Sequence, residues 1–395
     1  MPAISAIVRQ ISLGIAAATF CGAGFLAIAG PAWSQQVGTA PVEIRVPQPP
    51  APALALGRVH LVYELHLTNF GAEPLRLLAL DVLNGEETLS SLEGARLAQR
   101  TSTVGAPPSA SGQQTALAAG ARAVVYLWIT LAPGRSAPQS LAHRLTISAG
   151  DSDRDSVIAE PVGVDTATVA VLVAPVRGGP WVAIRGPSNS SGHRLALVTA
   201  DGAARVPQRF AVDWAKLGSD GRLFRGDSTT NESWYGYRDT VYAAAPGRVA
   251  IARDGAPDNP PFSVTPPPII DAREAPGNAV SIDIGDGRFV SYAHLADGSL
   301  LVKTGDVVRE GQALGLIGNS GNSLGPHLHF QVGDAAEVLI SEGLPFVMRD
   351  FDLIGLAQPG ALLSGQPWTA SPQRPSRAVE AEMPLENMVV RFSSP

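Results

Sequence analysis

Apolar and polar residues alternate along one stretch early in the chain, residues 59–68, which Asn69 and Gly71 close. Because successive side chains of a strand point to opposite faces, this pattern predicts a half-buried β-strand. Further runs, separated by Gly-, Pro- and Ser-containing stretches, predict strands at residues 75–83, 123–131, 141–148 and 166–176. Together these strands predict an immunoglobulin-like sandwich over residues 57–177.

Composition favours a chain that is mainly β. Among the 395 residues, 41 glycines and 33 prolines interrupt short apolar runs, and no long stretch shows a clear helical period. A hydrophobic content of 45% is enough for buried cores. The length leaves room for about two or three domains.

The same interruptions divide the rest of the chain. Residues 35–56 are rich in proline and alanine and are predicted to be an extended linker. A second domain is predicted from Gly178-Gly-Pro-Trp181 to residue 351, and its strands carry the candidate chemistry. Residues 352–395 form a C-terminal tail, either ordered or loose, to which the pattern assigns no fold.

Residues 1–34 have the pattern of a secretory signal peptide. A short basic region ends at Arg9, residues 11–30 are apolar and small, and Ala32-Trp-Ser34 forms a cleavage site. An uncleaved membrane anchor is the alternative, because the apolar run is long enough to cross a bilayer. The single cysteine, Cys21, lies in this segment, so the mature chain is expected to have no disulfide and no thiol catalysis.

The charge pattern bears on possible partners. The formal net charge is -6, only 16% of the residues are charged, and no block of Lys or Arg occurs. These features argue against nucleic acid or an anionic membrane surface as the main partner. No membrane contact is expected beyond the export signal.

The candidate chemistry centres on His327-Leu-His329, which follows a Gly/Asn/Ser-rich turn at residues 318–326. Side chains at positions i and i+2 of a strand point to one face, so both imidazoles can face a single metal ion or water. Together with Asp213 and His294, they form a set of residues typical of zinc hydrolases.

A second group of polar residues, His60, Glu64 and His66, has even spacing on the first predicted strand. A metal site is one interpretation of this group. A polar outer face of the strand explains it better, because one face of an antiparallel sheet is commonly solvated.

Residues 277–332 closely resemble the lysostaphin/LytM-like zinc endopeptidases. The resemblance is carried by three segments, GNAVSIDIGDGRFVSYAHL at 277–295, KTGDVVREGQALG at 303–315 and GNSGNSLGPHLHF at 318–330. It extends back through residues 246–249 and the segment that contains Asp213. The family fold is a compact antiparallel β core with a groove, which the resemblance implies for residues 178–351.

Most characterised members of that family cut peptide cross-links in peptidoglycan. The resemblance therefore implies a secreted zinc metalloendopeptidase, with Zn²⁺ as cofactor and peptidoglycan peptide stems, or another peptide, as substrate. It also implies that the protein is exported to the periplasm or cell envelope of a bacterium.

The resemblance implies a role for individual residues. Asp213 and His329 match zinc ligands of the family. His294 and His327 match the two unligated histidines that flank the catalytic water, where one takes its proton and both can stabilise the oxyanion. Asn278 matches an asparagine common in the family and is expected to orient substrate or backbone.

The chain departs from the family at its first zinc ligand, a histidine four residues before the aspartate. Arg209 occupies that position, and a guanidinium has no lone pair to give. Either the site is inactive or the third ligand comes from elsewhere. Once the histidines of the first domain and those already assigned are set aside, His193 remains as the replacement.

A predicted hairpin brings His193 towards the site. With the three-residue loop Ala200-Asp-Gly202, Thr199 pairs with Ala203, and His193 lies opposite Arg209 on the face of the ligand aspartate. A two-residue Asp-Gly turn is the rival. It would direct His193 to the other face, because a slip of one residue reverses every side chain.

Two other functions stay open at this point. The first is an inactive relative that binds the cell wall or activates an amidase through the same groove, and Arg209 favours it. The second is a structural envelope protein whose sandwich domain carries the function, although it gives no reason for the retained site residues. Bound zinc separates the enzyme from both.

Overall fold

The structure, a computed structural model, describes residues 40–105, 115–149, 154–167, 169–263, 271–373 and 375–393. The predicted signal peptide lies outside these residues. Within them, no helix is both long and apolar enough to cross a membrane. Strands dominate and the helices are short, which confirms the prediction of a mainly β chain.

The first part of the chain forms a two-sheet sandwich. Its elements are β1 (Val42–Arg45), β2 (Ala51–Ala55), β3 (Arg58–Asn69), β4 (Leu75–Asn84), β5 (Glu87–Glu93), α1 (Gly94–Arg100), β6 (Thr101–Thr103), β7 (Ala116–Leu117), β8 (Arg122–Thr130), β9 (Ser140–Ala149), β10 (Asp155–Ile158) and β11 (Val162–Gly163). One sheet has the order β1-β3-β8-β6, with β2 also paired to β3. The other has the order β10-β9-β4-β5, with β7 on β4 and β11 on β9.

The predicted strands at residues 59–68, 75–83, 123–131 and 141–148 correspond to β3, β4, β8 and β9. Every second side chain of β3 points into the sandwich core: Leu61, Tyr63, Leu65 and Leu67 are all fully buried there. Burying an aliphatic side chain of this size stabilises the fold by about 1.5–3 kcal/mol. The apolar side chains that alternate along β3 are therefore buried between the two sheets and hold them together.

The other face of β3 differs from its prediction as a polar outer face. His60, Glu64 and His66 are also buried, with 6%, 3% and 7% of their surfaces exposed. Between them, Val62 packs in the apolar core of the second domain. The second domain covers this face, so β3 is buried on both sides. Glu64 finds its partners, Arg194 and Arg209, across the domain interface. The ring of His60 instead bonds within the sandwich.

The second domain contains the remaining elements. They are β12 (Ala170–Leu172), β13 (Gly178–Arg185), α2 (Gly192–Leu195), β14 (Val198–Ala200), β15 (Ala203–Arg205), β16 (Val212–Lys216), a 3₁₀ turn (Asn231–Ser233), β17 (Thr240–Tyr242), β18 (Gly247–Arg253), β19 (Asn278–Gly285), β20 (Arg288–Leu295), β21 (Val307–Val308), β22 (Ala313–Leu316), β23 (Leu328–Gly333), β24 (Gly343–Leu344), β25 (Phe346–Leu356), α3 (Pro359–Leu363), β26 (Arg377–Glu382) and β27 (Met388–Phe392).

One large sheet organises this domain, in the order β12-β25-β27-β13-β16-β23-β20-β19-β18-β21. Its pairs are antiparallel except for β12 with β25, which run parallel. The predicted strand at residues 166–176 shrinks to β12, and it joins this sheet rather than the sandwich. The centre of the sheet, β16-β23-β20, holds the candidate site residues Asp213, His329 and His294.

The predicted linker and the unassigned C-terminal tail both contribute strands. Residues 35–56, expected to be a linker, contain β1 and β2 of the sandwich. Residues 352–395, expected to be a tail, contain the end of β25, α3, β26 and β27. β27 lies between β25 and β13 and pairs with both. Because its partner β13 is distant in sequence, no local pattern reveals the pairing.

The position of β27 makes the C-terminal residues part of the core beside the site. Phe392 is 2% exposed, and its ring lies 5.2 Å from that of Trp214, the residue after Asp213. We expect Phe392→Ala to reduce the free energy of unfolding by about 3–5 kcal/mol, because it leaves a cavity. Chemical denaturation would measure the loss.

The matched control is Phe70→Ala, since Phe70 is 72% exposed. That exposed substitution should change the stability by less than about 0.5 kcal/mol. Equal effects of the two substitutions would show that the C-terminal strand does not form part of the folded core.

Candidate metal centre

The site lies where three neighbouring strands place polar side chains on one face of the large sheet. Asp213 of β16 and His329 of β23 are direct cross-strand partners. His329 also pairs with Ala293 of β20, which brings the next residue, His294, to the same place. Strand pairing thus brings the backbones of three residues expected from the sequence close together.

The backbone at His294 is unusual and directs its side chain. Its φ angle is 62°, a left-handed conformation that is rare outside glycine. The register between β19 and β20 shifts between Asn278 and Val280, close to this residue. His294 N–H therefore leaves the ladder and donates to the carbonyl of Pro276. A conformation of this kind persists only where the surrounding structure enforces it.

Hydrogen bonds fix which nitrogen of His329 carries the proton. The amide nitrogen of Gln331 donates to the carbonyl of Val338 and to Ser341 Oγ, so its oxygen faces His329 Nε2 at 2.9 Å. His329 Nε2 must then be the donor. Its other nitrogen, Nδ1, lies 2.8 Å from Asp213 Oδ1. A bare nitrogen and a carboxylate oxygen are two acceptors, so this contact calls for a cation or proton shared between them.

Backbone carbonyls fix the other two rings in the same way. His294 Nδ1 donates to the carbonyl of Ser320 at 2.8 Å, and His327 Nδ1 donates to that of Gly325 at 2.7 Å. Their Nε2 atoms are left with lone pairs. His327 Nε2 lies 3.5 Å from Asp213 Oδ1, and the rings of His294 and His327 are 4.9 Å apart. Both rings therefore offer acceptors to the space around the aspartate.

His193 completes the cluster from outside the sheet. Its Nε2 lies 3.3 Å from Asp213 Oδ2, and its ring centre is 5.1 Å from that of His329. Ligand atoms of His193, Asp213 and His329 all lie within 4.8 Å of one another, and all three residues are buried. Two imidazoles and one carboxylate form the donor set that zinc accepts in hydrolytic sites. The residues present therefore fit a zinc ion.

The electrostatics agree with a cation site. Burial lowers the pKa of His193 and holds that of His294 well below its ordinary value. Burial opposes ionisation of Asp213, yet the neighbouring His193 and His327 rings hold the pKa of this carboxyl well below its usual range. Burial also opposes charge on His327, but the Asp213 carboxylate raises the pKa of that ring. The carboxylate is thus ionised at the centre of the cluster.

His193 reaches the site by a route that differs from the predicted hairpin. The observed hairpin pairs Ala200 with Ala203, so Asp201 and Gly202 form the two-residue turn that was the rival. Both turn residues have positive φ angles, 50° and 76°, as a type I′ turn requires. The ladder ends at the pair of Val198 and Arg205. No pairing extends from it to His193, so the predicted register was wrong.

His193 instead lies in α2, a short helical turn that precedes the hairpin. The two-residue turn does not direct His193 away from the site, because strand alternation does not apply to a helical residue. Arg209 does not face the metal centre either. Its guanidinium donates to Glu64, to the side chain of Glu342 and to the carbonyl of Gly343.

Asn278 was expected to orient substrate or backbone, and its contacts are with the backbone. It is completely buried, and its amide nitrogen donates to the carbonyls of Ala256 and Leu295. Its oxygen accepts from Ala256 N–H at 2.8 Å. These bonds use the polar atoms of the side chain, so the structure agrees with the backbone role and not with the substrate role. Asn278 ties the segment after β18 to the sheet.

A groove of about 630 Å³ opens over the cluster. Arg185, Gln208 and Glu386 add polar groups to its lining. Apolar side chains form much of the rest of the wall: Ile184, Trp234, Phe262, Leu324 and Leu363. Leu363 belongs to α3, so the C-terminal segment contributes to the groove.

Three supporting groups around the cluster were not anticipated from the sequence. Gln331 continues the i, i+2 spacing of His327 and His329, and this spacing could have placed it on the same face of the strand. The carbonyls of Ser320 and Gly325 lie in the Gly/Asn/Ser-rich turn, and no sequence pattern shows where a backbone carbonyl points.

Comparisons with known proteins identify sequences and a solved structure that this chain resembles. The sequence is 45% identical over 56 residues to peptidoglycan DD-endopeptidase ShyA of Vibrio cholerae serotype O1, which covers 14% of this chain and 13% of that relative. It is also 42% identical over 55 residues to ShyC, a peptidoglycan DD-endopeptidase of the same organism. This match covers 14% of this chain and 12% of ShyC. The chain thus spans less than a seventh of the length of these relatives.

Among solved structures, a mutant form of the catalytic domain of the prophage-encoded M23 protein EnpA from Enterococcus faecalis is similar. The sequence identity is 21% and the TM-score is 0.24, over 42% of this chain and 91% of that one.

Residues 235–339 match the sequence model described as Peptidase family M23. His294, His327 and His329 lie within the match, whereas His193 and Asp213 precede it. Residues 235–339 are therefore similar to the peptidase domain of family M23, and this match supports the LytM-like resemblance of the sequence.

Proposed function

We propose that the protein is a zinc metalloendopeptidase that hydrolyses peptide bonds in the cross-links of peptidoglycan. One observation carries this proposal: ligand atoms of two imidazoles and an ionised carboxylate converge, and two further imidazoles with free Nε2 lone pairs stand beside them. The two DD-endopeptidase relatives support the choice of substrate.

His193, Asp213 and His329 would hold the metal ion. A bound zinc ion supplies Lewis acidity, which lowers the pKa of a water molecule to about 7 and polarises a carbonyl group. Gln331 orients His329 by accepting a hydrogen bond from its Nε2, so that Nδ1 faces the candidate metal centre. Such outer partners fix the orientation of a ligand ring and raise its basicity.

His294 and His327 supply the proton chemistry in this proposal. Each ring donates its Nδ1 proton to a backbone carbonyl, so Nε2 is free to take a proton from the attacking water. Once protonated, that nitrogen becomes a donor and can hydrogen bond to the oxyanion or to the leaving amine. The paired rings, 4.9 Å apart, allow one to act as base while the other orients the substrate.

The groove and the location of the protein complete the proposal. The groove accepts an extended peptide over the cluster, and its apolar wall excludes water from one side. Because peptidoglycan lies outside the inner membrane, the protein would act after export to the cell envelope. The signal-like pattern of residues 1–34 supports this.

The relocated ligand leads to a direct test of metal binding. Mature wild-type protein should contain about one zinc ion per chain, and His193→Ala should lose it, because a site with two ligands holds zinc poorly. Elemental analysis after dialysis against a weak chelator would measure the content. His143→Ala is the control, since His143 is a buried histidine of the sandwich that bonds to Tyr63.

The outcomes of this test separate the candidates. Zinc in the wild type and in the control, but not in His193→Ala, supports the proposal. Zinc in both the wild type and His193→Ala would agree with a zinc enzyme but would show that His193 is not a required ligand. A wild type without zinc would contradict the proposal and favour the inactive relative that binds the cell wall or activates an amidase.

The two unligated histidines give a second expectation. His294→Ala should retain zinc but lose hydrolysis by about 10²- to 10⁴-fold, because a general base is removed. Digestion of purified peptidoglycan, followed by mass spectrometry, should show cross-linked fragments converted to uncross-linked ones by the wild type only. His143→Ala again serves as the control. Full activity in His294→Ala would contradict the assigned role.

A further inference from the structure

Four buried charged residues form a network between the sandwich and the second domain. Arg194, Arg209, Glu64 and Glu342 are 0%, 4%, 3% and 2% exposed. Arg209 Nε donates to Glu64 at 3.1 Å, and its Nη2 lies 2.5 Å from Glu64 Oε2 and also contacts Glu342. Arg194 forms an ion pair with Glu64 as well. Two positive charges thus meet two negative ones out of water.

Glu64 is the only member of this network that the sandwich supplies. It lies on β3, and the other three residues belong to the second domain. Arg194 also donates to the backbone carbonyls of Tyr63 and Leu127, at 2.8 and 3.3 Å. The turn that contains Arg194 is therefore docked against the sandwich through its guanidinium.

His193 is the residue directly before Arg194, and the polar partner of its ring is Asp213. Its helix, α2, spans Gly192–Leu195 and has no side-chain cap, so it has little stability of its own. Among the described residues, His193 Nδ1 is a buried atom without a hydrogen-bond partner. His294, His327 and His329 differ, because each has a partner for its second nitrogen.

From this arrangement we propose that Glu64 is a positioning residue for the metal centre. It holds Arg194, and through the backbone of α2 it fixes His193 beside Asp213. The inference rests on the proposed zinc site and adds the requirement that the sandwich completes it. Arg209 pairs with the same Glu64 carboxylate. The residue at the position of the expected ligand histidine therefore helps to anchor His193, the proposed replacement.

The test is the zinc affinity of the full mature chain carrying Glu64→Gln. Loss of outer support for a ligand typically lowers metal affinity by about 10- to 100-fold, and we expect a decrease of this size. Competition with a chromophoric chelator would measure it. The visible spectrum of the cobalt-substituted protein should also change, because that spectrum reports the ligand set.

Glu382→Gln is the matched control. Glu382 is a buried carboxylate of the second domain that accepts from the backbone N–H groups of Leu56 and Gly57, so it also joins the two domains. It lies away from α2 in the chain and contacts neither Arg194 nor Arg209. Its variant should lose stability and keep the wild-type zinc affinity and cobalt spectrum. A merely structural role for Glu64 would make the two variants behave alike.

A double-mutant cycle shows whether Glu64 acts through His193. In a His193→Ala background, Glu64→Gln should change the zinc affinity by less than about twofold, because the ligand it positions is gone. If Glu64→Gln does not fold, Arg194→Lys takes its place, since lysine keeps the charge but cannot bond to Glu64 and both carbonyls together.

Each outcome has one meaning. Unchanged zinc affinity in folded Glu64→Gln or Arg194→Lys, with loss in His193→Ala, would overturn the positioning role and leave the proposed function intact. An equal loss in the presence and absence of His193 would overturn it too. A wild type without zinc would remove the proposed function itself, and with it the basis of this inference.

Discussion

Two buried carboxylates organise the centre of this protein, because an ionised carboxylate out of water must be paired. Asp213 lies among the histidine rings, and Glu64 lies between two guanidinium groups. The adjacent residues His193 and Arg194 connect them, since one side chain faces each carboxylate. A single short turn therefore links the candidate metal centre to the domain interface.

This link explains how the chain tolerates an arginine at the position where the LytM-like resemblance implies a ligand histidine. A guanidinium facing Asp213 would neutralise the carboxylate and block a metal ion. Arg209 is instead turned towards Glu64, Glu342 and the carbonyl of Gly343. The pairing with Glu64 keeps this cation away from the cluster. The imidazole that reaches Asp213 then enters from α2 rather than from the segment before β16.

The sequence predicted those parts of the structure that local patterns determine. Alternation located the main sandwich strands, and the i, i+2 spacing of His327, just before β23, and His329, within it, placed both beside Asp213. His193 was identified by elimination, while its position depends on a helical turn and on a contact with another domain. Neither leaves a local signal. A one-residue difference in the hairpin loop was enough to make the predicted register wrong.

Other discrepancies have the same origin in non-local contacts. Glu64 had the spacing of a solvated face, because the sequence does not show that a second domain covers it. β27 has the sequence of an ordinary apolar run, and only its insertion between β13 and β25 gives it a structural role. Asn278 matched a family residue, yet its identity did not reveal that the backbone uses every polar atom of its side chain.

These contacts mean that the domains predicted from the sequence are not independent modules. The segment 178–351 contains the candidate metal centre, but it lacks β27, which completes the sheet next to β13, and Glu64, which holds the turn carrying His193. The described parts of residues 40–395 belong to one compact unit. Excising the peptidase segment would remove β27 and so expose the edges of its partners, β13 and the remaining part of β25. It would also leave Arg194 and Arg209 without their shared carboxylate. An inactive fragment would then report the loss of these supports, and only substitutions in the full chain can separate the chemistry of the cluster from the structure that holds it.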